Sequence, residues 1–213
     1  MLSSLQQHVL KEFLNVSIGQ ATYSLSEMAN QKIQLTIPEI ELTNIPSLSK
    51  KLKDGSFSKM FTGHIVSSSL AFGNEFNGKA KLVFPVNKGK ILVNFFVGEE
   101  VSPENGYDQD NFSDTDIDAL KEIGNIILNT IVGGFANLLD KQIIYSLPEV
   151  DFSYYPGQEP ELIFDVGHNI LLIHTTFSLV KAKVEGAIFI ILTMESISNL
   201  IGKINEMLVC VYE

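Results

Sequence analysis

The chain has 213 residues, 45% of them hydrophobic, and carries a formal net charge of −10. This length allows one domain with a sizeable core, or two fused half-domains. The acidic charge argues against a nucleic-acid surface, because binding to phosphates needs clustered Lys and Arg residues.

A long helix is predicted at the start of the chain. Ser3 and Gln6 have capping-box spacing ahead of a helical apolar period. At about 100° per residue, one stripe of this helix is apolar and should face the core. Its members are Leu10, Leu14, Ala21, Leu25 and Met28.

Three strands and a shorter helix are predicted next. The segment IQLTIPEI alternates into Pro38, and proline is confined to the ends, edges and bulges of strands. GHIVSSSLAF and KAKLVFP form a predicted hairpin joined through Asn77 and Gly78. An amphipathic helix at 87–97 ends this half of the chain.

An acidic segment without periodicity follows and is predicted to be an exposed linker. Asp114, Asp116 and Asp118 have the spacing of the first ligands of a calcium loop. Ala119 would then occupy a position that needs Gly, and Asn125 a position that needs a bidentate Glu. We therefore interpret the three carboxylates as residues of a helix start, where they complement the helix dipole.

The second half opens with another long helix, for which Thr115 and Asp118 have capping-box spacing. Its predicted core residues are Leu120, Ile127, Ile131 and Leu138. Gly133 and Gly134 each cost about 1 kcal/mol relative to Ala inside a helix. We interpret them as positions of close packing against the first helix.

Three strands and a helix are also predicted to follow the second long helix. The segment IIYSLPEV alternates into Pro148. HTTFSLVKAKV and AIFIILTM form a predicted hairpin joined through Glu185 and Gly186. A helix at 195–209 closes the chain.

One polar pattern occurs twice at the same spacing. A single constant offset, with no gap, separates His8 from Asp118, Glu12 from Glu122, Asn15 from Asn125, and Pro38 from Pro148. We predict one domain made of two repeats, at about 1–100 and 113–213, joined by the acidic linker near 99–114. The predicted fold is α+β: two helix–three strands–helix units related by a pseudo-twofold axis, with a shared sheet flanked by the long helices.

In each long helix the polar motif lies roughly opposite the apolar stripe. The spacing i, i+4 and i+7 places three side chains within about 60° of one another on the helix surface. Glu12 with Asn15, and Glu122 with Asn125, should project into solvent side by side. One such pair would be ordinary for the exposed side of a helix, but two pairs in register indicate a function.

Other candidate chemistry in the chain is weak. His64, His168 and His174 lack paired metal-ligand spacing and are interpreted as structural. Cys210 is the single cysteine, which excludes an intrachain disulfide, and its apolar helix favours burial over nucleophilic use. The N-terminus lacks the features of a secretory signal, and the longest apolar run, 187–194, is too short to span a membrane. We predict a cytoplasmic protein without a membrane span.

The doubled pattern resembles the CheC branch of the CheC, CheX and FliY family of chemotaxis phosphatases. The second copy, Asp118-x3-Glu122-x2-Asn125-x22-Pro148, follows the family pattern throughout, and the surrounding EIGNI is typical of it. The first copy departs from the pattern at His8, where the family has Asp or Ser. We expect no room after the last helix for the further domain of a FliY-like protein, so the chain resembles the CheC branch more closely than FliY.

The resemblance implies a phosphatase that hydrolyses the aspartyl phosphate of a CheY-like response regulator. The catalytic residues that it implies are Glu12, Asn15, Glu122 and Asn125. In this role the Asn orients the attacking water and the Glu pairs with a Lys of the regulator. Asp118 and His8 are candidate supporting residues, with helix capping as the alternative role. No cofactor is expected in this chain, and Mg²⁺ would belong to the regulator.

Two other classes of function are alternatives. A non-catalytic interaction module would bind a response regulator, a flagellar switch component or a CheD-like deamidase through the same helices. The presence of both Glu-x2-Asn pairs favours the enzyme, since a pure adaptor has no need of them. A small-molecule sensor has no supporting sequence feature. We expect a monomer, and we expect the second site to be at least as active as the first because its motif is unbroken.

Overall fold

The computed structural model describes residues 2–37, 39–44, 46–48, 50, 63–99, 112–155, 169–180 and 182–212, with 210–212 described by their backbone alone. The longer helices are α1 Ser4–Ala29, α2 Val86–Val97, α3 Asp114–Leu139 and α4 Met194–Tyr212. The strands are β1 Gln34–Thr36, β2 Ile40–Asn44, β3 Gly63–Asn74, β4 Gly78–Pro85, β5 Ile143–Tyr145, β6 Glu149–Tyr155, β7 Asn169–Ser178 and β8 Lys183–Leu192. The α+β class is confirmed. Predictions for Pro38, His168, most of the acidic linker and the Cys210 side chain fall outside the described residues.

The eight strands form one antiparallel sheet with the order β1-β7-β8-β4-β3-β5. β2 also pairs with β7, and β6 also pairs with β3. The first two strands of each half therefore pair with a strand of the other half. Gln34 of β1, for example, lies opposite Ser178 of β7. The two halves share the sheet, as predicted.

Among these elements, each half of the chain has a helix, four strands and a helix in the same order. The prediction of three strands per half was wrong, because each of the two segments that contain a proline forms two short strands. Pro148 lies between β5 and β6. Proline has no backbone N–H to donate to a neighbouring strand, so a position between two strands suits it. The matching order of elements agrees with internal duplication, which stays a prediction.

The core lies mainly between one face of the sheet and the helices. Val66 and Leu70 of β3 belong to the cluster that includes buried residues of all four longer helices. Ile65 belongs to a smaller cluster on the opposite face, as the alternation of side chains along a strand requires. The predicted stripes of the long helices are largely confirmed. The exceptions are Met28, which is exposed, and Leu138, which is partly buried.

Both long helices begin with a capping box, and the two boxes are related by the same offset as the polar motifs. In α1, Ser3 Oγ accepts from the backbone N–H of Gln6, and the Gln6 side chain accepts from the N–H of Ser3. In α3 the cap is Ser113, paired with Asp116. The predicted box at Thr115 was therefore placed two positions too late. In this box an Asp takes the position that Glu or Gln usually occupies.

The two predicted hairpin turns differ in outcome. Asn77 and Gly78 lie at the connection of β3 and β4, as expected. Glu185 and Gly186 were predicted as a turn but lie inside β8. At Gly186 a Cβ atom would collide with the ring of Phe84, so this glycine allows close packing within the sheet.

Among the described residues one helix, α3, is long and apolar enough to cross a membrane by length and composition alone. The prediction of no span missed this helix because it searched for uninterrupted apolar runs. One such helix is weak evidence for a span, since the core helix of a soluble protein has the same properties. Ile127, Leu128, Ile131 and Val132 of α3 are fully buried in the core.

Candidate functional site

The first Glu and Asn pair lies on the solvent side of α1. Glu12 and Asn15 are exposed, and neither side chain makes a hydrogen bond or an ion pair with the part of the chain that the structure describes. Leu10 and Leu14 are buried on the other side of the helix. The helical-wheel prediction for this segment is therefore confirmed.

Two apolar side chains extend the exposed surface around this pair. Val16 is 65% exposed and Tyr23 is 69% exposed. From their spacing in sequence, both lie within about 40° of Glu12 around the helix. We call the surface formed by Glu12, Asn15, Val16 and Tyr23 the α1 face. Exposed large apolar residues beside polar ones are typical of protein-binding surfaces.

The second pair lies on α3 and is less open. Glu122 is exposed, as predicted, whereas Asn125 is only partly exposed. The side-chain oxygen of Asn125 accepts a hydrogen bond of 2.6 Å from Nδ2 of Asn129, one turn later in the helix. Leu120 is buried. The outward direction of the motif is confirmed, but Asn125, which was expected to be substantially accessible, is only partly exposed.

The two long helices pack directly against each other. The rings of Phe13 and Phe135 stack with their centroids 5.5 Å apart. A Cβ atom at Gly134 would approach Ser17 Oγ to 2.6 Å and Phe13 to 3.3 Å. The interpretation of Gly134 as a contact with α1 is therefore confirmed. Gly133 instead lies against the hydroxyl of Tyr145, which belongs to β5.

The glycine inside the second motif sets the depth of α3 on the sheet. Gly124 lies between Glu122 and Asn125 in sequence but faces inward. A Cβ atom here would overlap the side chain of Ser68 on β3. Because the helix sits this close to the strand, the outward direction of Glu122 and Asn125 is fixed by backbone packing.

A buried ion pair anchors the start of α3. Nζ of Lys90, on α2, lies 2.6 Å from Oδ2 of Asp116, and both side chains are almost fully buried. Asp116 also accepts a hydrogen bond of 2.7 Å from the backbone N–H of Ser113. Burial raises the pKa of Asp116, but the hydrogen bonds from Lys90 and Ser113 and the charge of Lys90 together hold the pKa below its ordinary value.

Neither supporting candidate makes a hydrogen bond or an ion pair with a Glu or Asn side chain of the motifs. His8 is exposed on α1. Asp118 is exposed on α3 and forms an ion pair of 3.1 Å with Lys121. The acidic helix-start interpretation holds for Asp114 and Asp116, which lie in the first turn of α3.

Four residues that matter to the site were not singled out from the sequence: Val16, Tyr23, Asn129 and Lys90. Val16 and Tyr23 lie on the polar side of the helical wheel that predicted the Glu and Asn positions, so the same wheel could have identified them. Asn129 lies one helical turn after Asn125, a spacing that brings helical side chains together. The pairing of Lys90 with Asp116 spans two elements and has no local signal.

The described residues contain no group of three or more His, Cys, Asp or Glu side chains that could hold a metal ion. His64 packs against the ring of Tyr154 at 5.0 Å. His174 lies 3.9 Å from Glu39. These contacts agree with the structural roles expected of the two histidines.

No family model matches the chain. In sequence, the chain is 20% identical to the CheY-P phosphatase CheC of Bacillus subtilis (strain 168) over 174 residues, which cover 80% of this chain and 79% of that protein. In structure, it is similar to Thermotoga maritima FliY, with a TM-score of 0.71 and 15% identity, covering 97% of this chain and 98% of that one. It is also similar to a chain of the FliG–FliM complex from H. pylori, with a TM-score of 0.64 and 10% identity, covering 94% of this chain and 100% of that one. The chain has a CheC/CheX/FliY-like fold.

Proposed function

We propose that the protein hydrolyses the aspartyl phosphate of a CheY-like response regulator. The observation that carries the proposal is a Glu and an Asn, three positions apart, on the solvent side of each long helix. The likeness to a CheY-P phosphatase over most of both chains supports the same activity. The four side chains assigned to catalysis are Glu12, Asn15, Glu122 and Asn125.

The chemistry of the reaction suits a neutral amide. An acyl phosphate is already activated, so its hydrolysis mainly requires a water molecule in line with the departing carboxylate. The Asn side chain can accept a hydrogen bond from this water through Oδ1 and donate one to a phosphoryl oxygen through Nδ2. A carboxylate at the same position would repel the phosphoryl oxygens. The side chain of Asn15 is exposed and makes no hydrogen bond with the described residues that would have to break first.

The Glu of each pair has a different task. Its carboxylate can pair with a Lys of the regulator in a charge-assisted hydrogen bond, which fixes how the regulator docks. Glu12 and Glu122 are both exposed, so this pairing needs no rearrangement of the helix. Mg²⁺ belongs to the regulator in this scheme, and this chain supplies only the Glu and the Asn.

The wider setting follows from the proposed substrate. Response regulators act inside the cell, so we place the protein in the cytoplasm, as a monomer of two repeats joined by the acidic linker. A CheD-like protein as a further partner stays a prediction. Asp118 and His8 stay candidate supporting residues, one helical turn before the Glu of each motif.

A non-catalytic interaction module is the second candidate. The likeness to a chain of the FliG–FliM complex favours it, and so does the exposed apolar part of the α1 face. Such a module would bind a regulator or a flagellar switch component without accelerating phosphate loss. Unlike the phosphatase, it would not need the amide of Asn15 or Asn125.

The deciding experiment measures loss of phosphate from a phosphorylated CheY-like regulator with the wild type, Asn15→Ala, Asn125→Ala and the double variant. Loss of a preorganised hydrogen-bonding group costs about a hundredfold or more in rate. We therefore expect each single variant to retain the activity of the remaining site, and the double variant to lose the stimulation. Gln20→Ala and Asn137→Ala remove exposed amides of the same helices outside the motif and serve as matched controls.

Binding of the regulator to the double variant separates the two candidates. A folded double variant that binds the regulator but no longer stimulates hydrolysis supports the phosphatase. Full stimulation by that variant would overturn the assigned mechanism. A wild type that binds the regulator without stimulating hydrolysis would establish the interaction module instead.

A further inference from the structure

The two motif helices surround their Asn side chains differently. Asn15 is exposed, and its side chain makes no hydrogen bond with the described part of the chain. One turn later lies Gly19, where an added Cβ atom would meet nothing within 4 Å. Asn125 is partly buried, and one turn later lies Asn129, whose Nδ2 donates to Asn125 Oδ1 at 2.6 Å. The offset that relates the two motifs also relates Gly19 to Asn129, so these two residues occupy the matched position of the two helices.

The hydrogen bond between the two amides resists opening. The other polar atom of the Asn129 side chain, Oδ1, is buried without a hydrogen-bond partner. If Asn129 released Asn125, its Nδ2 would lose the one bond that the amide makes within the described residues. This hydrogen bond is partly buried, so water only partly replaces it when it opens. Asn129 therefore holds the Asn125 side chain in one orientation.

This orientation matters for a water-positioning amide. Asn125 Oδ1 is the atom that would accept a hydrogen bond from the attacking water, and the bond from Asn129 occupies one of its two lone pairs. We infer that the two sites are unequal: Asn15 acts without rearrangement, while Asn129, a positioning residue, restrains Asn125 and lowers the activity of the second site. This inference rests on the proposed phosphatase function. It reverses the ranking that the unbroken second motif predicts.

Variants that leave a single working site test the inference. In an Asn15→Ala background only the second site acts, and in an Asn125→Ala background only the first. We expect a lower kcat from the second site. Adding Asn129→Ala to the Asn15→Ala background should raise kcat about fivefold, which corresponds to about 1 kcal/mol, with KM changed by less than about twofold. Adding Asn129→Leu, which keeps the bulk but cannot hydrogen-bond, should raise kcat similarly.

The reciprocal exchange uses the first helix. Gly19→Asn in the Asn125→Ala background would place an amide one turn after Asn15, in space that is open. We expect kcat to fall about fivefold, again with little change in KM. Gly19→Ala in the same background adds a side chain without an amide, so it measures the effect of bulk alone. A similar fall with Ala and Asn would overturn the hydrogen-bond explanation.

The results distinguish failure of the inference from failure of the proposed function. If the wild type does not stimulate dephosphorylation at all, the proposed function fails. If the wild type is active but the two single-site backgrounds have equal kcat, the inference fails and the function stands. An increase with Asn129→Ala but not with Asn129→Leu would assign the restraint to bulk and would also overturn the inference.

Discussion

Lys90 and Asp116 form a buried ion pair of 2.6 Å that joins the last helix of the first half to the first turn of α3. Replacing Lys90 by Met would leave the carboxylate of Asp116 buried without its cation. Breaking a buried pair in this way costs about 3–5 kcal/mol. Asp116 keeps its bond from Ser113, so we expect Lys90→Met to lower the free energy of unfolding in urea by about 3 kcal/mol, at the lower end of this range.

The matched control for this variant is Lys121→Met. Lys121 pairs with Asp118 at 3.1 Å, but the two side chains are 43% and 75% exposed. Exposed pairs contribute less than about 1 kcal/mol. Equal losses from the two variants would contradict the assignment of Lys90 as an anchor of α3.

The lowered pKa of Asp116 predicts that the stability of the protein depends on pH in the acidic range. The pKa of Asp116 is lower in the folded protein than its ordinary value of 3.8. The folded state therefore binds fewer protons, so this contribution to stability is complete above about pH 4 and is lost as the pH falls through the folded pKa. In Asp116→Asn, the free energy of unfolding should therefore fall less steeply at acidic pH than in the wild type. A residual slope should remain, because the backbone N–H of Gln142 and the charge of Lys141 also lower the pKa of Glu75. An unchanged dependence of the unfolding free energy on acidic pH in Asp116→Asn would show that Asp116 does not contribute to it.

The contact between Gly124 and Ser68 predicts the effect of one added methyl group. In Gly124→Ala the new Cβ would overlap the Ser68 side chain on β3. Overpacking of this kind costs about 1–3 kcal/mol, more than the gain of about 1 kcal/mol in helix propensity. Gly202→Ala adds the same methyl group to α4, where nothing lies within 4 Å, and should be neutral or stabilising. Thermal and urea unfolding of the two variants measure the difference, and a stable Gly124→Ala would contradict the close contact of α3 with the sheet.

The apolar part of the α1 face predicts a change in substrate binding. If the regulator covers this face, Val16→Asp would place a charge in the contact and remove apolar burial. We expect KM for the phosphorylated regulator to rise about tenfold, equivalent to about 1.4 kcal/mol, with kcat changed little. Val180→Asp changes an exposed valine between β7 and β8, at 71% exposure, and should leave both constants as they are. Steady-state measurements in the Asn125→Ala background restrict the test to the first site.

The sequence predicted the features of this fold that depend on local periodicity. The long helices, their buried stripes and the outward direction of Glu12 and Glu122 follow from the helical repeat. In each half, the two short strands on either side of a proline were predicted as one strand, because the apolar alternation continues through the proline. Gly186 was assigned to a turn because glycine favours turns, whereas the close approach of Phe84 that explains it comes from a neighbouring strand.

The accessibility of the site could be predicted only in part. Whether Asn125 is free depends on Asn129 and on how deeply α3 lies on the sheet. That depth is set by the close approach of Gly124 to Ser68. Ser68 is distant in sequence and belongs to the other half of the chain. Periodicity gives the direction of a side chain from the helix axis, but it does not show which neighbouring residue covers it.

The exchange of edge strands between the halves has a consequence for the order of folding. Gln34 and Ser178 are paired although most of the chain lies between them, and closing so long a loop slows folding. During synthesis the first half emerges while the partner of β1 does not yet exist, and the edge of β3 that β6 will cover is still unpaired. Neither half can complete its share of the sheet alone, so the native structure forms only after the last strands leave the ribosome. At high concentration, two chains at that stage could exchange β1 and β2, so we expect misfolding of this protein to yield a strand-swapped dimer.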